Sequence, residues 1–273
     1  MRITVVALGK IGLPLAVQFA TKGHDVVGYD INPEVVRLVN AGQIPFPGET
    51  DLDTRLAEVT GTGLLTATTD CSEAVSRADA VVVVVPLVVD SDGLPDFSSI
   101  DTATRQIAKS LRGGTLVTFE TTLPVGTTRT RFAPLLAQIS GLTIGRDLFV
   151  AFSPERVFTG RVFQDLRRYP KLIGGVEIES AKRARELYEA TLDFDERGDL
   201  PDPNGVWDLG SADAAEMAKL AETTYRDVNI ALANQFARYA DSVGIDIYNV
   251  ISAANSQPFS HIHQPGIAVG GHC

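Results

Sequence analysis

A turn that could bind a dinucleotide follows the first run of apolar, β-branched residues. Residues 7–12 read Ala-Leu-Gly-Lys-Ile-Gly and lead into a segment with a helical pattern. Gly9 would let the backbone approach a pyrophosphate closely, and Gly12 would let the helix pack tightly against the strand. Ala7 replaces the first glycine of the usual Gly-x-Gly-x-x-Gly pattern, so its methyl group is tolerated if φ is negative and strained otherwise. The turn alone is weak evidence for a dinucleotide site.

A carboxylate at a suitable spacing strengthens this interpretation. Asp30 ends the second strand-like run, about 20 residues beyond the turn, where an acidic side chain accepts hydrogen bonds from ribose hydroxyls. The same carboxylate would repel a 2′-phosphate, so the pattern favours NAD over NADP. The alternative is an ordinary glycine-containing turn with an aspartate cap. The combination of strand, turn, helix and acid argues against that alternative.

The elements that must position these residues alternate between strand and helix. Residues 80–85 are Ala followed by five Val, which predicts a strand covered on both faces, as in a parallel sheet. The predicted strands are Ile3–Leu8, Val26–Asp30, Ala80–Val85, Thr115–Phe119 and Leu148–Phe152. Their alternation with helical segments predicts an α/β fold with a doubly wound, Rossmann-type parallel sheet.

Two helix starts carry recognisable capping chemistry. Asn32 followed by Pro33 supplies a cap and a proline at the first helical position. Asp70 with Glu73 three residues later predicts a capping pair before another helix.

The sequence pattern changes after about residue 195. Residues 196–210 are rich in Pro, Gly and Asp, which predicts a linker between a dinucleotide-binding domain, 1–195, and a second region, 211–273. Residues 211–242 contain no Gly or Pro, so they predict one central helix about 45 Å long, opening a helical middle domain. Helices of this length usually bridge domains or subunits, and its apolar face predicts a homodimer. Residues 257–273 read as a loop, and we expect a chain cut before a further C-terminal domain.

Composition and charge limit the classes of partner. The formal net charge is −10, from 24 Lys and Arg against 34 Asp and Glu, which argues against nucleic acid or an anionic membrane as the main partner. Cys71 and Cys273 are too few for a disulfide scaffold and suit a reducing compartment. There is no signal-peptide pattern and no apolar run near the roughly 20 residues of a membrane helix. We therefore expect a cytoplasmic protein, and we predict no metal site.

Several separated motifs resemble the UDP-glucose/GDP-mannose dehydrogenase family over essentially the whole chain. Beyond the turn they are Glu-Thr-Thr at 120–122 with Pro-Val-Gly-Thr-Thr at 124–128, Ser-Pro-Glu-Arg-Val at 153–157, Pro-Lys-Leu-Ile-Gly-Gly at 170–175, Ala-Glu-Met-Ala-Lys at 215–219, and Pro-Gly at 265–266 leading to Gly-Gly-His-Cys at 270–273. The His beside the Cys and the Tyr-Arg-Asp-Val-Asn at 225–229 look closest to the UDP-N-acetylmannosamine or UDP-N-acetylglucosamine dehydrogenase branch. The resemblance implies an NAD-dependent oxidation of a nucleotide-linked hexose, such as a UDP-sugar, from the C6 alcohol to the carboxylate. The uronic acid formed would serve polysaccharide biosynthesis.

The resemblance also implies roles for individual residues. Cys273 would add to the aldehyde as a thiolate, so that a hemithioacetal can lose the second hydride and leave a thioester. Lys219 would stabilise the oxyanion, and Glu155 would position the hydrolytic water, with Thr122 near the nicotinamide and the same water. A solvated lysine and a turn-stabilising threonine are the alternatives for Lys219 and Thr122. Cys71 is expected to be a small buried hydrophobe.

Some positions depart from the family pattern. Thr223 stands where the family places an asparagine, four residues after Lys219, and its hydroxyl is a shorter oxyanion donor with one hydrogen. Leu87 replaces a hydroxyl-bearing residue near the cofactor. Residues 257–259 read Gln-Pro-Phe, where the acetylhexosamine branch often has His-Pro-Arg with a cation that could contact substrate. These departures leave the sugar open.

The predicted site residues fall into three groups. The predicted catalytic residues are Cys273, Lys219, Glu155, Thr122 and Thr223. The predicted cofactor contacts are Gly9, Lys10, Ile11, Gly12, Asp30, Val85, Pro86 and Thr122. The predicted substrate contacts are Glu155, Arg156, Val157, Lys219, Arg226, Gly266 and Gly270.

Two other functions stay open. A two-electron dehydrogenase of the β-hydroxyacid type shares the nucleotide fold, the long helix and a catalytic lysine, but it needs no thiol, and the motifs at 153–156 and 270–273 argue against it. A catalytically incomplete NAD-binding fragment is the other, supported by Ala7, Leu87 and Thr223. We expect the 273-residue chain to bind NAD and to turn over little substrate alone.

Overall fold

One large sheet organises the first part of the chain. The computed structural model describes residues 1–267, and within them eight strands join in this sheet while two short strands form a separate hairpin. In chain order the strands are β1 (Arg2–Val6), β2 (Asp25–Tyr29), β3 (Leu65–Thr68), β4 (Ala80–Val83), the hairpin strands β5 (Val88–Val89) and β6 (Pro95–Asp96), β7 (Thr115–Phe119), β8 (Leu148–Phe152), β9 (Lys171–Gly175) and β10 (Val206–Asp208).

The order across the sheet is β10-β9-β8-β7-β4-β1-β2-β3. β1 pairs in parallel with both β2 and β4, so the chain order reverses at this point and opens a crevice at the carboxyl ends of these strands. The predicted doubly wound, Rossmann-type sheet is confirmed. The expectation of a wholly parallel sheet is wrong at one place, because β8 and β9 pair antiparallel. Residues 153–170 form only a loop and one short helix, too little for a full crossover, so β9 runs back along β8.

Ten α-helices are present in residues 1–267. They are α1 (Gly12–Thr21), α2 (Pro33–Asn40), α3 (Leu52–Gly61), α4 (Cys71–Val75), α5 (Ser98–Ser110), α6 (Ala133–Ser140), α7 (Val162–Arg168), α8 (Ile178–Thr191), α9 (Ala212–Val243) and α10 (Ile247–Ala254). A π-helical segment, Thr128–Phe132, leads directly into α6.

The predicted cap at Asn32 is confirmed, and the predicted capping pair is confirmed for Asp70 but not for Glu73. The side chain of Asn32 accepts from the Glu34 amide at 3.0 Å, with Pro33 in the first turn of α2. The carboxylate of Asp70 accepts from two amides at the start of α4. Glu73 does not return a bond to the cap, because its carboxylate accepts from the Thr68 hydroxyl at 2.7 Å instead.

The helices cover both faces of the sheet, which explains the continuous apolar strands. All four residues of β4 and all five of β7, β8 and β9 are buried. One apolar cluster includes residues of α1, α3 and α8, and the other includes residues of α5 and α6. The site at the strand ends therefore stands on a rigid, close-packed support.

Strand β10 lies inside the segment predicted to be a linker. Val206 to Asp208 pair in parallel with β9, and Arg185 of α8 donates to the Val206 carbonyl at 2.7 Å. Residues 206–208 therefore belong to the sheet, and the loop prediction is wrong for them. Three residues at a sheet edge are too few to produce a periodic pattern.

The chain divides into two compact units, Met1–Glu216 and a second that begins at Met217. Helix α9 begins in the first unit and continues into the second, and its bounds agree with the predicted helix to within one residue at each end. In the second unit Ala240, Ile247 and Ile251 form a small core, and Asp246 caps α10. Within residues 1–267, every helix is too short or too polar to cross a bilayer.

Candidate functional site

The carboxyl ends of five neighbouring strands gather most of the predicted site residues of the first unit. The dinucleotide turn follows β1, Asp30 follows β2, Val85 and Pro86 follow β4, residues 120–122 follow β7, and residues 153–157 follow β8. Ligands of open α/β sheets bind at this edge.

The dinucleotide turn has a strained first position. Ala7 has φ of 75°, which is the left-handed region that favours glycine, so the strained alternative applies. Its amide donates to the Tyr29 carbonyl at 2.8 Å, which fixes the turn against β2. A Cβ at Gly12 would lie 1.9 Å from the Ala7 carbonyl oxygen, so only glycine fits where α1 packs on the turn.

The turn leaves space for a pyrophosphate. A Cβ at Gly9 would meet no atom within 4 Å, and Gly9 and Lys10 are both exposed. No side chain caps the start of α1, where Ile11 is the N-cap residue. Amide groups at a helix N-terminus favour anionic ligands, so these residues fit a dinucleotide phosphate.

Asp30 links the turn to β2. Its Oδ2 accepts from the Leu8 amide at 2.8 Å and its Oδ1 accepts from the Asn32 amide at 2.9 Å. Each carboxylate oxygen can accept a further hydrogen bond, so the side chain retains capacity for ribose hydroxyls. Asp30 therefore both builds the turn and fits the predicted cofactor contact.

Hydrogen bonds from neighbouring residues hold the loop that carries Thr122. The Thr121 hydroxyl donates to the Val85 carbonyl at 2.6 Å, which joins the ends of β4 and β7. Farther along, the buried carboxylate of Glu216 accepts from the Gly126 amide and from the Thr128 amide and hydroxyl. Thr122 itself is half-buried between these two anchors.

Glu155 lies in a buried group of polar side chains, which we call the Lys171 cluster: Glu120, Glu155, Lys171 and Tyr188. Lys171 Nζ lies 2.8 Å from Glu120 Oε2 and 2.8 Å from Glu155 Oε2. The Tyr188 hydroxyl donates to Glu120 Oε1 at 2.6 Å, and Lys171 Nζ lies 4.8 Å from the centre of its ring.

The second oxygen of Glu155 accepts from the main chain. Its Oε1 accepts from the amides of Arg156 at 2.7 Å and Val157 at 3.2 Å. The Arg156 guanidinium donates to the Pro170 carbonyl, so this predicted substrate contact also fixes the loop before β9. Glu155 is therefore held in one orientation from both sides.

Burial and charge set opposite proton affinities for the two carboxyls. Burial raises the pKa of Glu120 to about 7, against the charge of Lys171 and with help from the charge of Glu155. Burial also acts on Glu155, but the charge and hydrogen bond of Lys171 and the Arg156 amide outweigh it and lower its pKa. Although burial alone would lower the pKa of Lys171, the two carboxylates raise it. Near neutral pH, Glu155 and Lys171 are therefore charged.

The other predicted residues lie in the second unit. Lys219 is buried, and the Thr223 hydroxyl donates to the Lys219 carbonyl at 2.9 Å, so its one hydrogen is used within α9. Arg226 lies 3.8 Å from Glu222, one turn away, and the Gly266 amide donates to Asn234 at 2.8 Å. The predicted Gly270 and Cys273 lie outside the described residues.

Three functional candidates were missed from sequence. Glu120, Lys171 and Tyr188 belong to the Lys171 cluster, yet only the motifs containing the first two were noticed. Glu120 directly follows a buried strand, as Asp30 does, and this position could have identified it. Tyr188 is one of several buried residues of α8, and no sequence motif distinguishes it from the others.

Comparison with known proteins gives two family matches that together cover most of the chain. Residues 1–192 match the NAD binding domain of the UDP-glucose/GDP-mannose dehydrogenase family, and residues 213–273 match the central domain of the same family.

Individual relatives agree. A UDP-N-acetyl-D-mannosamine dehydrogenase from Pyrococcus horikoshii is 42% identical over 273 residues, covering 100% of this chain and 62% of that protein. An NDP-N-acetyl-D-galactosaminuronic acid dehydrogenase from Ralstonia nicotianae is 38% identical, covering 99% of this chain and 62% of that protein. The solved structure of the P. horikoshii UDP-D-ManNAc dehydrogenase matches with a TM-score of 0.90 and 41% identity, covering 100% of this chain and 62% of that chain. This chain thus spans about three fifths of the length of these relatives, and it belongs to the UDP-glucose/GDP-mannose dehydrogenase family, with an NAD-binding domain at residues 1–192.

Proposed function

We propose that the protein oxidises a nucleotide-linked hexose at C6 from the alcohol to the carboxylate. One observation carries this proposal: an ionised, immobilised carboxylate, Glu155, stands at a strand end of the same sheet edge as a dinucleotide turn that matches an NAD-binding domain. A two-electron dehydrogenase has no need of a fixed base for hydrolysis, whereas the release of an acid from a thioester does.

Two molecules of NAD⁺, one for each oxidation, would accept the two hydrides. Between the oxidations, the Cys273 thiolate would form a C–S bond to the aldehyde carbon, giving a hemithioacetal whose oxyanion Lys219 would stabilise. After the second oxidation, Glu155 would accept a proton from the water that attacks the thioester, with Thr122 orienting that water. The C–S bond then breaks, which releases the carboxylate and restores the thiolate.

The stoichiometry of NADH tests this proposal. We expect two NADH for each sugar oxidised, and we expect Cys273→Ser to release no acid. Cys71→Ser is the matched control and should keep the stoichiometry, because burial raises the pKa of that thiol to about 11 and makes it a poor nucleophile. One NADH with a free aldehyde or ketone would reject the proposal in favour of a two-electron dehydrogenase.

The proposed substrate is a UDP-linked N-acetylhexosamine. The support is the activity for which the relatives are named and the match of the motif at 225–229, while Gln-Pro-Phe at 257–259 keeps the sugar itself open. Initial rates with UDP-N-acetylmannosamine, UDP-N-acetylglucosamine, UDP-glucose and GDP-mannose at equal concentration identify the substrate. Equal rates for all four would contradict selectivity for an acetylated sugar.

We also propose that a second copy covers one face of α9. Large apolar side chains recur there at helical spacing and are 42–69% exposed: Tyr225, Val228, Leu232, Phe236, Tyr239 and Val243. Light scattering should give at least twice the chain mass of 29.2 kDa, and Leu232→Glu should reduce it to one copy. Glu186→Lys on α8 is the control and should leave the mass unchanged. A monomer for the unmodified protein contradicts the dimer.

A further inference from the structure

The Lys171 cluster contains more charge than the proposed reaction uses. Glu120 follows β7, Lys171 begins β9 and Tyr188 lies in α8, and these three side chains are at most 4% exposed. Glu155 alone has a role in the chemistry proposed above. The other three come from separate elements. Glu120 and Glu155 each lie 2.8 Å from the Lys171 ammonium group, so the cluster meets at that group.

The charges of the cluster do not balance when both carboxyls are ionised. One lysine then faces two carboxylates, and an uncompensated buried charge is strongly unfavourable. The least costly remedy is one proton retained on a carboxyl. The contacts favour Glu120 as its holder, because two main-chain amides at 2.7 and 3.2 Å favour the ionised form of Glu155.

We propose that Lys171 is the positioning residue for Glu155, and that Glu120, held by Tyr188, is a buried proton store that keeps the cluster near neutrality. The role of Glu155 in this proposal rests on the proposed function, whereas the proton on Glu120 does not. When Glu155 accepts a proton from the attacking water, the charge of the cluster rises by one. Glu120 can then release its proton to bulk water, which returns the cluster to its starting charge, and the Lys171 ammonium stays hydrogen-bonded to both carboxyl groups whichever of them holds the remaining proton.

The charged groups around the cluster do not change the assignment of the retained proton to Glu120. Arg156, Asp165 and Tyr169 line the small cavity that also includes Glu155 and Lys171. The Arg156 guanidinium donates to a main-chain carbonyl, and the Asp165 carboxylate accepts from the Phe158 amide at 3.0 Å and pairs with Arg161 at 3.0 Å. The facing groups from Thr118 of β7 and from Ser153, which follows β8, are hydroxyls that do not titrate in this range.

The first experiment uses the 273-residue chain and needs no activity. Infrared titration follows the C=O stretch of a protonated carboxyl, which should lose intensity with a midpoint near pH 7. Glu120→Gln should abolish this component, and Glu179→Gln, a change at a partly exposed position of α8, should retain it. Tyr188→Phe removes a donor to the ionised form of Glu120 and should move the midpoint upward, while Tyr248→Phe in α10 should not. A component that persists in Glu120→Gln overturns the proton store.

The second experiment measures activity and separates positioning from folding. Lys171→Met should lower kcat on the order of 10²-fold with the KM for NAD unchanged, because a misplaced base loses its alignment. Lys171→Arg should recover most of kcat, since arginine can donate to both carboxylates. A kcat for folded Lys171→Met equal to that of the unmodified protein overturns the positioning role. If Lys171→Met does not fold, Tyr188→Phe is used instead. The pH dependence of its kcat should shift to higher pH, as its infrared midpoint does, and an unshifted profile then counts against the proposal.

The two experiments also separate this proposal from the proposed function. If the unmodified protein oxidises no nucleotide sugar but the infrared component behaves as stated, the proposed function fails and the proton store stands. If activity is present and the component is missing at pH 6, the proposed function stands and the proton store fails.

Discussion

Replacing Gly12 with alanine tests whether close packing shapes the dinucleotide turn. The new Cβ would lie 1.9 Å from the Ala7 carbonyl oxygen and 3.1 Å from its carbonyl carbon. Because close-packed atoms do not approach within about 3 Å, the turn or the helix must shift by roughly 1 Å. Ala7 has little freedom to move, since its φ is already 75° and its amide donates to the Tyr29 carbonyl at 2.8 Å.

The expected loss of stability follows from these contacts. Overpacking of a rigid interior costs about 1–3 kcal/mol, and the better helix propensity of alanine returns at most ~1 kcal/mol. We therefore expect Gly12→Ala to lower the free energy of unfolding by about 1–2 kcal/mol. Urea denaturation followed by circular dichroism measures this change, and calorimetric titration should show weaker NAD binding by the same variant.

Gly9→Ala is the matched control because it adds the same methyl group to the same turn, but away from the Ala7 carbonyl oxygen that a Cβ at Gly12 would meet. A Cβ there meets no atom within 4 Å, so the free energy of unfolding should change by less than about 0.5 kcal/mol. The methyl group would occupy the space expected for the pyrophosphate, so the NAD affinity should fall about tenfold or more. If Gly9→Ala destabilises the fold while Gly12→Ala leaves it unchanged, the packing argument is refuted.

Three further substitutions and one measurement of thiol reactivity test single features. Ala7→Gly relieves a left-handed residue worth roughly 1 kcal/mol, partly offset by a freer unfolded chain, so the melting temperature should rise or stay level, and a lower one contradicts the strain. Asp30→Asn should raise the affinity for NADP relative to NAD in calorimetric titrations, and an unchanged ratio contradicts its predicted ribose contact. Burial raises the pKa of Glu120 from its ordinary 4.5 to about 7, so the folded state binds this proton more tightly and stability falls as the pH rises through that window. Relative to Glu120→Gln, the unmodified chain should lose up to about 1 kcal/mol per pH unit between pH 5 and 7 in urea melts, and parallel curves contradict the shift. Burial also raises the pKa of Cys71 to about 11, so its reaction with a disulfide reagent at pH 7 should be far slower than that of free cysteine.

The sequence could predict the strands whose environment is uniform along their length. β7 and β8 are buried at every residue, and both were predicted with the bounds that the structure has. β3 and β10 have four and three residues at the two edges of the sheet, where the apolar pattern is short and broken. β9 was hidden for another reason, because it begins with a lysine.

A charged residue in a buried strand is explained only by partners that the sequence does not reveal. Lys171 contacts Glu155, 16 residues earlier, and Glu120, 51 residues earlier. Neither separation is a helical or strand period, so no local pattern predicts the pairing. The antiparallel return of β9 along β8 brings the three groups together, and that reversal was itself not predicted.

The two acids that follow β2 and β7 show how the same local position leads to different chemistry. Asp30 and Glu120 each stand directly after a strand at the same edge of the sheet. The oxygens of Asp30 accept from main-chain amides of its own turn, and the side chain is partly exposed, so it can meet a ligand. Glu120 carries one more methylene group and lies beneath β9 and α8, which supply Lys171 and Tyr188 and exclude water. Position after a strand therefore identifies both acids as candidates, but what packs over each one decides whether it is a candidate for ligand binding or for the proposed proton store.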